Sequence, residues 1–250
     1  MILLSSAYFG PIQYFSKWAS VFSVNIEAHE NFIKQTYRNR CEIVSANGML
    51  KLSVPVLRED RIKIPIKETK IDYDTLWQKQ HLRAIESAYR RSPYYEYYID
   101  EFIPFFEKKT TFLYDLNYLI TETILDILGW DKQIGETNEY IPANTNPCNK
   151  NTIPDNKDIN SGNNIIDSGN RIIDSGNNII DSGNNIIDFR TIIGPGNKGS
   201  HDPTFRNTAY IQNFEEKYGF IPNLSVLDLI FQTGPEAKQI LHQTWNPLGI

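Results

Sequence analysis

The stretch from Asn31 to Val56, NFIKQTYRNRCEIVSANGMLKLSVPV, restricts the fold more than any other part of the chain. Cys41, Ile43 and Val44 supply an apolar, largely β-branched strand. Asn47-Gly48 is a favoured two-residue turn pair, and Leu50, Leu52, Val54 and Val56 then alternate at period two. Turn chemistry and strand pattern agree on a β-hairpin turning at Asn47-Gly48. Directly upstream, the cations Lys34, Arg38 and Arg40 stand among the amides Asn31, Gln35 and Asn39. That polar cluster opens onto a rigid element, where binding groups can be held in place.

Around the hairpin, the pattern predicts an α/β class, with α+β as the alternative. Ile2 to Leu4 reads as a buried strand ending in a turn at Gly10-Pro11. Ile12, Phe15, Trp18 and Ala19 follow at helical spacing, and Val21, Phe22, Val24 and Ile26 form a second strand. Strand, helix, strand opens a parallel sheet, and small ligands bind at the carboxyl ends of such strands, here Tyr8 to Tyr14 and Glu27 to Lys34. RIKIPIKETKI, interrupted by Pro65, reads as an edge or irregular strand. Asp74 is placed to cap a helix from Thr75 to Arg91. A tyrosine-rich helix follows Pro93 and is expected to end or kink at Pro104. Leu113 to Leu128 is one wide apolar helical face closed by Gly129. Near the end, Tyr210, Phe214 and Tyr218 suggest a helix closed by Gly219, and Ser225 with Asp228 resembles a capping box.

Residues 136–203 differ in kind. NSGNNII, DSGNRII, DSGNNII and DSGNNII run from Asn160 to Ile187. Ser-Gly-Asn in every unit breaks a helix, and adjacent isoleucines make no coiled-coil seam. Stacked turns with paired isoleucines are one reading; the preferred one is a flexible low-complexity insert without chemistry. The layout is a sheet-containing part over residues 1–135, the insert over 136–203, and a helical end over 204–250 of the same domain.

A net charge of −5 argues against nucleic acid as a partner, because polyanions need a basic face. MILLSSAYFG lacks a basic n-region, no stretch reaches spanning length, and Cys41 and Cys148 are too few for a disulfide framework. The expectation is a cytoplasmic protein with no membrane insertion. Catalytic signatures for phosphate, dinucleotide or metal binding are absent, and the four histidines have no metal-pair spacing, so no cofactor is expected.

Lys34, Arg38 and Arg40 are the leading binding candidates, since paired cations suit a carboxylate or diphosphate. A solvated basic turn balanced by Glu27, Glu30 and Glu42 weighs slightly more on spacing alone. His81, four residues after Trp77 on an apolar stripe, is either a packed ring or a general base. Tyr94, Tyr95, Tyr97 and Tyr98 could stack on sugars or clamp a helix into the core. Capping accounts for Asp115 and Asp228.

PIQYF, KQTYRNRCEI with its NG-LKLSVPV continuation, the W-x3-H-L helix running into SAYRRSPYY, and YGFIPNLSVLDLIFQTGPEA together resemble the WbqC-like protein family over residues 1–135 and 204–242. The resemblance implies work in bacterial surface-polysaccharide (O-antigen) biosynthesis. It suggests transfer of a small acyl or aminoacyl group, for example glycine, to a nucleotide-linked amino sugar. The family's characteristic positions fall on Gln13, Tyr14, Lys34, Tyr37, Arg38, Asn39, Arg40, Trp77, His81 and Tyr89. On that reading His81 and Lys34 are catalytic and the others bind substrate. The alternative is a non-catalytic sugar-nucleotide or glycan-binding accessory protein that assists pathway enzymes. A third reading, nucleotidyl transfer, rests only on the opening topology.

Overall fold

The computed structural model describes residues 1–20, 22–57, 63–142, 186–196 and 201–246, together with the backbone of three isoleucine pairs in the repeat. Val21, Arg61, Ile62, Cys148 and most of the predicted insert lie outside the described residues. The class is mixed α/β.

The opening element order is as the periodicity predicts. Strand β1 (Ile2–Leu4) leads into helix α1 (Ile12–Ser16), extended by a 3₁₀ turn at Lys17–Ala19, and β2 (Val24–Ile26) returns parallel to β1. Both faces of β1 are covered, which suits its unbroken Ile-Leu-Leu run. The hairpin forms as β3 (Arg40–Ser45) and β4 (Gly48–Ser53) in a sheet of its own. Its turn sits one residue earlier than predicted. Ala46 and Asn47 span the gap, and Gly48, at φ +100, already pairs with Ser45. The Ser45 side chain fixes this register: its hydroxyl donates to the Gly48 carbonyl at 2.9 Å and accepts from Asn47 N–H at 3.3 Å.

Past the hairpin, the Pro65 region makes a 3₁₀ turn at Ile66–Glu68 and isolated bridges in place of a continuous strand. Helix α2 covers Trp77–Tyr89 and starts without a side-chain cap. Asp74 is not its cap; its own N–H is held by the Asp72 carboxylate at 2.8 Å. Helix α3 (Tyr95–Glu107) runs through Pro104, whose missing N–H removes one internal bond only. At the carboxyl end of this helix, Gln78 donates to the Phe105 and Lys108 carbonyls. Helix α4 (Leu113–Ile127) buries Leu113, Leu116, Ile120 and Ile124 of its predicted face but leaves Leu119 exposed and Ile127 half-buried, and Gly129 follows at φ +60.

The main sheet is completed from distant parts of the chain. Strand β5 (Gly135–Glu136) adds parallel to β2, packed so closely that a Cβ on Gly135 would collide with the Asn25 amide. In the repeat, β6 (Ile165–Ile166), β7 (Ile172–Ile173) and β8 (Ile179–Ile180) pair antiparallel with one another. Strand β9 (Ile187–Asp188) then pairs parallel with β1 on the side away from β2. Phe189 and Ile192 behind it are buried in the core. Thus residues 186–196, within the stretch read as insert, belong to the central sheet and its packing. The strand order is β5-β2-β1-β9.

The helical end is shorter than its pattern suggests. Only Glu215–Tyr218 (α5) is helical in the Tyr210 region, before Gly219 at φ +69. Helices α6 (Val226–Thr233) and α7 (Ala237–Thr244) follow. Ser225 does cap α6, its hydroxyl accepting from Leu227 N–H at 3.4 Å. Asp228 does not close a box: the Ser225 N–H goes to the Glu42 carbonyl, and the buried Asp228 carboxylate accepts from the Tyr210 hydroxyl. Among the described residues, no helix is long and apolar enough to cross a membrane.

Candidate functional site

From β1 the chain moves outward to β2 and β5, then returns to β9 on the other side of β1. Strand order therefore reverses between β1 and β9. In open parallel sheets the crevice beyond the carboxyl ends of the strands at such a reversal is the default ligand site, since the connections diverge there. Each strand delivers polar residues to this edge: Ser5 and Ser6 after β1, Glu27 to Glu30 after β2, Thr137 after β5, and Asp188 with Arg190 at and after β9.

Two guanidinium groups organise the edge. Arg190 grips Asp188 with both arms of its fork, Nε to Oδ1 at 2.9 Å and Nη2 to Oδ2 at 2.6 Å, and reaches Glu27 Oε2 with Nη1 at 3.2 Å. Burial lowers the Arg190 pKa, but the Asp188 hydrogen bonds and the neighbouring carboxylates outweigh it and raise it overall. Glu27 also accepts from Thr137 Oγ1 at 2.8 Å, from His29 N–H at 2.9 Å and from Ile141 N–H at 2.9 Å. Arg38 makes the second fork, onto Glu30, with Nε to Oε1 at 2.8 Å, and gives another N–H to Ser5 Oγ at 2.7 Å. All five charged side chains are almost fully buried. Three carboxylates thus face two guanidinium groups in a region of poor solvation, leaving one formal negative charge in excess.

Between the two arginines lies a hollow of about 10 Å³ lined by Ser5, Ser6, Tyr14, Tyr37, Arg38 and Arg190, among others. That is room for about one water molecule. Asn117 donates to Ser6 Oγ and to the Arg38 carbonyl, while its own Oδ1 has no hydrogen-bond partner among the described residues. His29 stands exposed at the rim with Nε2 at 3.0 Å from the Thr137 carbonyl. A carbonyl can only accept, so Nε2 carries the proton and Nδ1 is the ring's acceptor.

The residues named from sequence distribute over several places. Arg38, Tyr14 and Tyr37 line the hollow, and burial raises both tyrosine pKa values. Gln13 lies apart, donating to Asp202 Oδ2 at 2.9 Å and bonded to Asn223. Lys34 is exposed. Asn39 donates to the Val54 carbonyl and Arg40 to Ser53 Oγ, both within the hairpin. His81 is enclosed by Trp77 and Tyr8, with Nδ1 at 2.9 Å from the Tyr8 hydroxyl. Burial pushes its pKa down to about 4, against an upward pull from the Ser53 backbone. Tyr89 is fully buried against Phe231. Of the tyrosine run, Tyr95 packs on Phe231 while Tyr97 is exposed. Cys41 is buried and its thiol pKa is raised by that burial.

Five contributors went unassigned in the sequence: Glu27, His29, Glu30, Asp188 and Arg190. The first three fall within the predicted carboxyl-end segment, where Glu27 and Glu30 read as counter-charges. Asp188 and Arg190 were signalled by a break in the repeat, where DSGN gives way to DFRT after Ile187. Among the described residues no cluster of His, Cys, Asp and Glu has metal-holding geometry.

The model of the WbqC-like protein family matches residues 6–159. A similar chain is Rv1507c, an uncharacterized protein of Mycobacterium tuberculosis, 30% identical over 128 residues, which are 51% of this chain and 55% of that protein. The chain therefore spans about half the length of the curated relative it matches. No solved structure matches.

Proposed function

We propose a function from one premise: the chain belongs to the WbqC-like protein family. It transfers a small acyl or aminoacyl group to the amine of a nucleotide-linked amino sugar in surface-polysaccharide assembly, as the family resemblance implies. The amine docks at the carboxyl edge of the parallel sheet. The observation that carries this reading is the buried excess of carboxylates there, Glu27, Glu30 and Asp188 against Arg38 and Arg190. A region of low dielectric with one uncompensated negative charge attracts a cation, and a protonated sugar amine is one.

For transfer, the amine must lose a proton. His29, exposed and with Nδ1 as an acceptor, is the accessible base at this edge. His81, given that role from sequence, is buried and neutral over the physiological range, so we assign it to packing. The docked ammonium first gives one proton to His29 Nδ1; the freed amine nitrogen then bonds to the acyl carbon, the bond from that carbon to the donor's leaving atom breaks, and the second amine proton departs with the leaving group. Exposed Lys34 is free to meet a donor carboxylate.

The test is thermal stabilisation of the full chain by nucleotide-linked amino sugars, each beside its N-acetylated counterpart. The free amines should raise Tm, the N-acetyl forms should not, and Asp188→Asn should remove the difference. Equal shifts with both forms, or none, overturn the amine site. Product from the purified protein and an activated glycyl donor, lost in His29→Ala, identifies the transferase.

A second reading, a non-catalytic binding protein, is favoured by one observation: the hollow between the arginines has room for only about one water. Amine-selective stabilisation without product would select it.

A further inference from the structure

A second cleft lies away from the sheet edge, and nothing in the preceding reading uses it. It encloses about 540 Å³, within the range of small-molecule sites, between the carboxyl-terminal half of α2, the hairpin turn at Ala46 and the Asn213-Phe214 segment. Its charged lining is Arg83, Arg90 and Arg91 against Glu86 alone. The SAYRRSP motif, prominent in the sequence, supplies Ser87, Ala88, Arg90 and Arg91 to this cleft.

Helix geometry sets the spacing of the cations. Arg83 and Arg90 are seven residues apart, hence on one face, with about 10 Å between their levels on the axis and Ser87 midway. The walls are fixed by hydrogen bonds. Asn213 Nδ2 donates to the Ala88 carbonyl and to Ser92 Oγ, each at 2.8 Å. Lys217 and the Tyr218 hydroxyl donate to the Ala46 carbonyl at 2.8 and 2.7 Å, tying the hairpin turn to α5. Basic residues at a helix carboxyl terminus complement the dipole, which accounts for Arg90 and Arg91 but not for Arg83 in mid-helix, nor for a walled cleft between them. Unlike Arg38, these guanidinium groups are exposed; among the described residues their ion pairing amounts to Arg90 with Glu86, at 3.7 Å.

We propose that this cleft binds a diphosphate group, with Arg83 and Arg90 taking its two phosphoryl units across Ser87 and Arg91 adding charge at the rim. Planar guanidinium forks suit phosphate oxygens, and the spread of the three arginines favours two linked phosphates over one. The diphosphate could be inorganic or the bridge of a nucleotide, and the chemistry recognised is the same. This site stands independently of the amine site at the sheet edge.

The experiment is calorimetric titration of the full chain with inorganic pyrophosphate and, separately, with uridine diphosphate, at low and raised ionic strength. Saturable one-to-one binding that weakens with salt is expected. Arg90→Ala/Arg91→Ala should raise Kd at least tenfold with Tm unchanged, because both side chains are exposed. Arg90→Lys/Arg91→Lys, keeping charge but not the fork, should fall between. Asp188→Asn should leave this binding intact, which separates failure here from failure at the sheet edge. Tighter binding of the nucleotide assigns the site to nucleotide diphosphates; equal binding assigns it to the diphosphate alone. No saturable binding of either probe, or binding unaffected by the double alanine variant, overturns the proposal.

Discussion

Two groups of arginines in this molecule use their charge in opposite ways. At the carboxyl edge of the sheet, Arg38 and Arg190 are buried and fork onto Glu30 and Asp188, with Glu27 as a further partner. Along α2, Arg83, Arg90 and Arg91 are exposed around an open cleft. Removing a charge from water is expensive, so a buried guanidinium persists only where the fold supplies its counter-charges. An exposed one keeps its hydration and can exchange it for a ligand. The same residue type is thus architecture in one place and a hydrated, accessible group in the other.

The largest effect that would break this contrast is loss of Arg190. Arg190→Met keeps most of the apolar stem but leaves Asp188 and Glu27 facing each other without their shared cation. Breaking a buried pair in this way costs about 3–5 kcal/mol. Urea denaturation should therefore show a lower midpoint for Arg190→Met, whereas Arg83→Met should stay within about 0.5 kcal/mol of the parent. Similar values for the two would mean that the edge carboxylates are solvated and that the contrast is false.

Burial acts on neutral groups as well, and His81 shows with what sign. Its pKa of about 4 in the folded chain lies below the ordinary histidine value of 6.5, because burial disfavours the imidazolium. The unfolded chain therefore binds the proton more readily. Stability contributed by the neutral ring is complete above pH 6.5 and declines as pH falls toward 4, by about 3 kcal/mol over that window. His81→Phe, which can pack against Trp77 and Tyr8 without a proton to gain, should flatten this part of the stability–pH profile. A profile unchanged from the parent would mean that His81 is solvated enough to titrate normally, which would return it to consideration as a base.

How much of this was legible beforehand follows from the range of each interaction. The β1–α1–β2 opening, the hairpin and α4 announce themselves because their signals, period two, period 3.6 and turn residues, are local. The Asn47-Gly48 turn slipped by one residue because the Ser45 hydroxyl settles the register. Asp228 occupies a capping position in the sequence, yet Tyr210, remote from it in the chain, takes its carboxylate. Arg38 and Glu30 were both visible, but nothing in their spacing says that they pair in the dark rather than face solvent. Asp188 and Arg190 were hardest to find. They reach the site only because β9 crosses back to β1 from a distant part of the chain, directly behind a repeat whose composition draws attention away from them. The charged cluster at the sheet edge is assembled by long-range topology, which period and composition do not encode.

The smallest expected effect sharpens the comparison from the open side. Glu86 and Arg90 are an exposed i,i+4 pair at 3.7 Å, and such pairs contribute roughly 0.2–0.5 kcal/mol to a helix. Glu86→Gln should therefore barely move the melting temperature. It also removes the one acidic side chain lining the cleft and frees Arg90 from its intramolecular partner. Pyrophosphate affinity should rise severalfold at low salt, and the gain should shrink as ionic strength screens the site. At the sheet edge the matching change, Glu30→Gln, deprives buried Arg38 of its carboxylate and should destabilise the fold strongly. Opposite responses to the same Glu-to-Gln change would separate a counter-charge that holds the structure from one that merely competes with a ligand. If Glu86→Gln weakens pyrophosphate binding, Glu86 must be orienting Arg90 for the ligand, and the cleft is organised in the same manner as the edge.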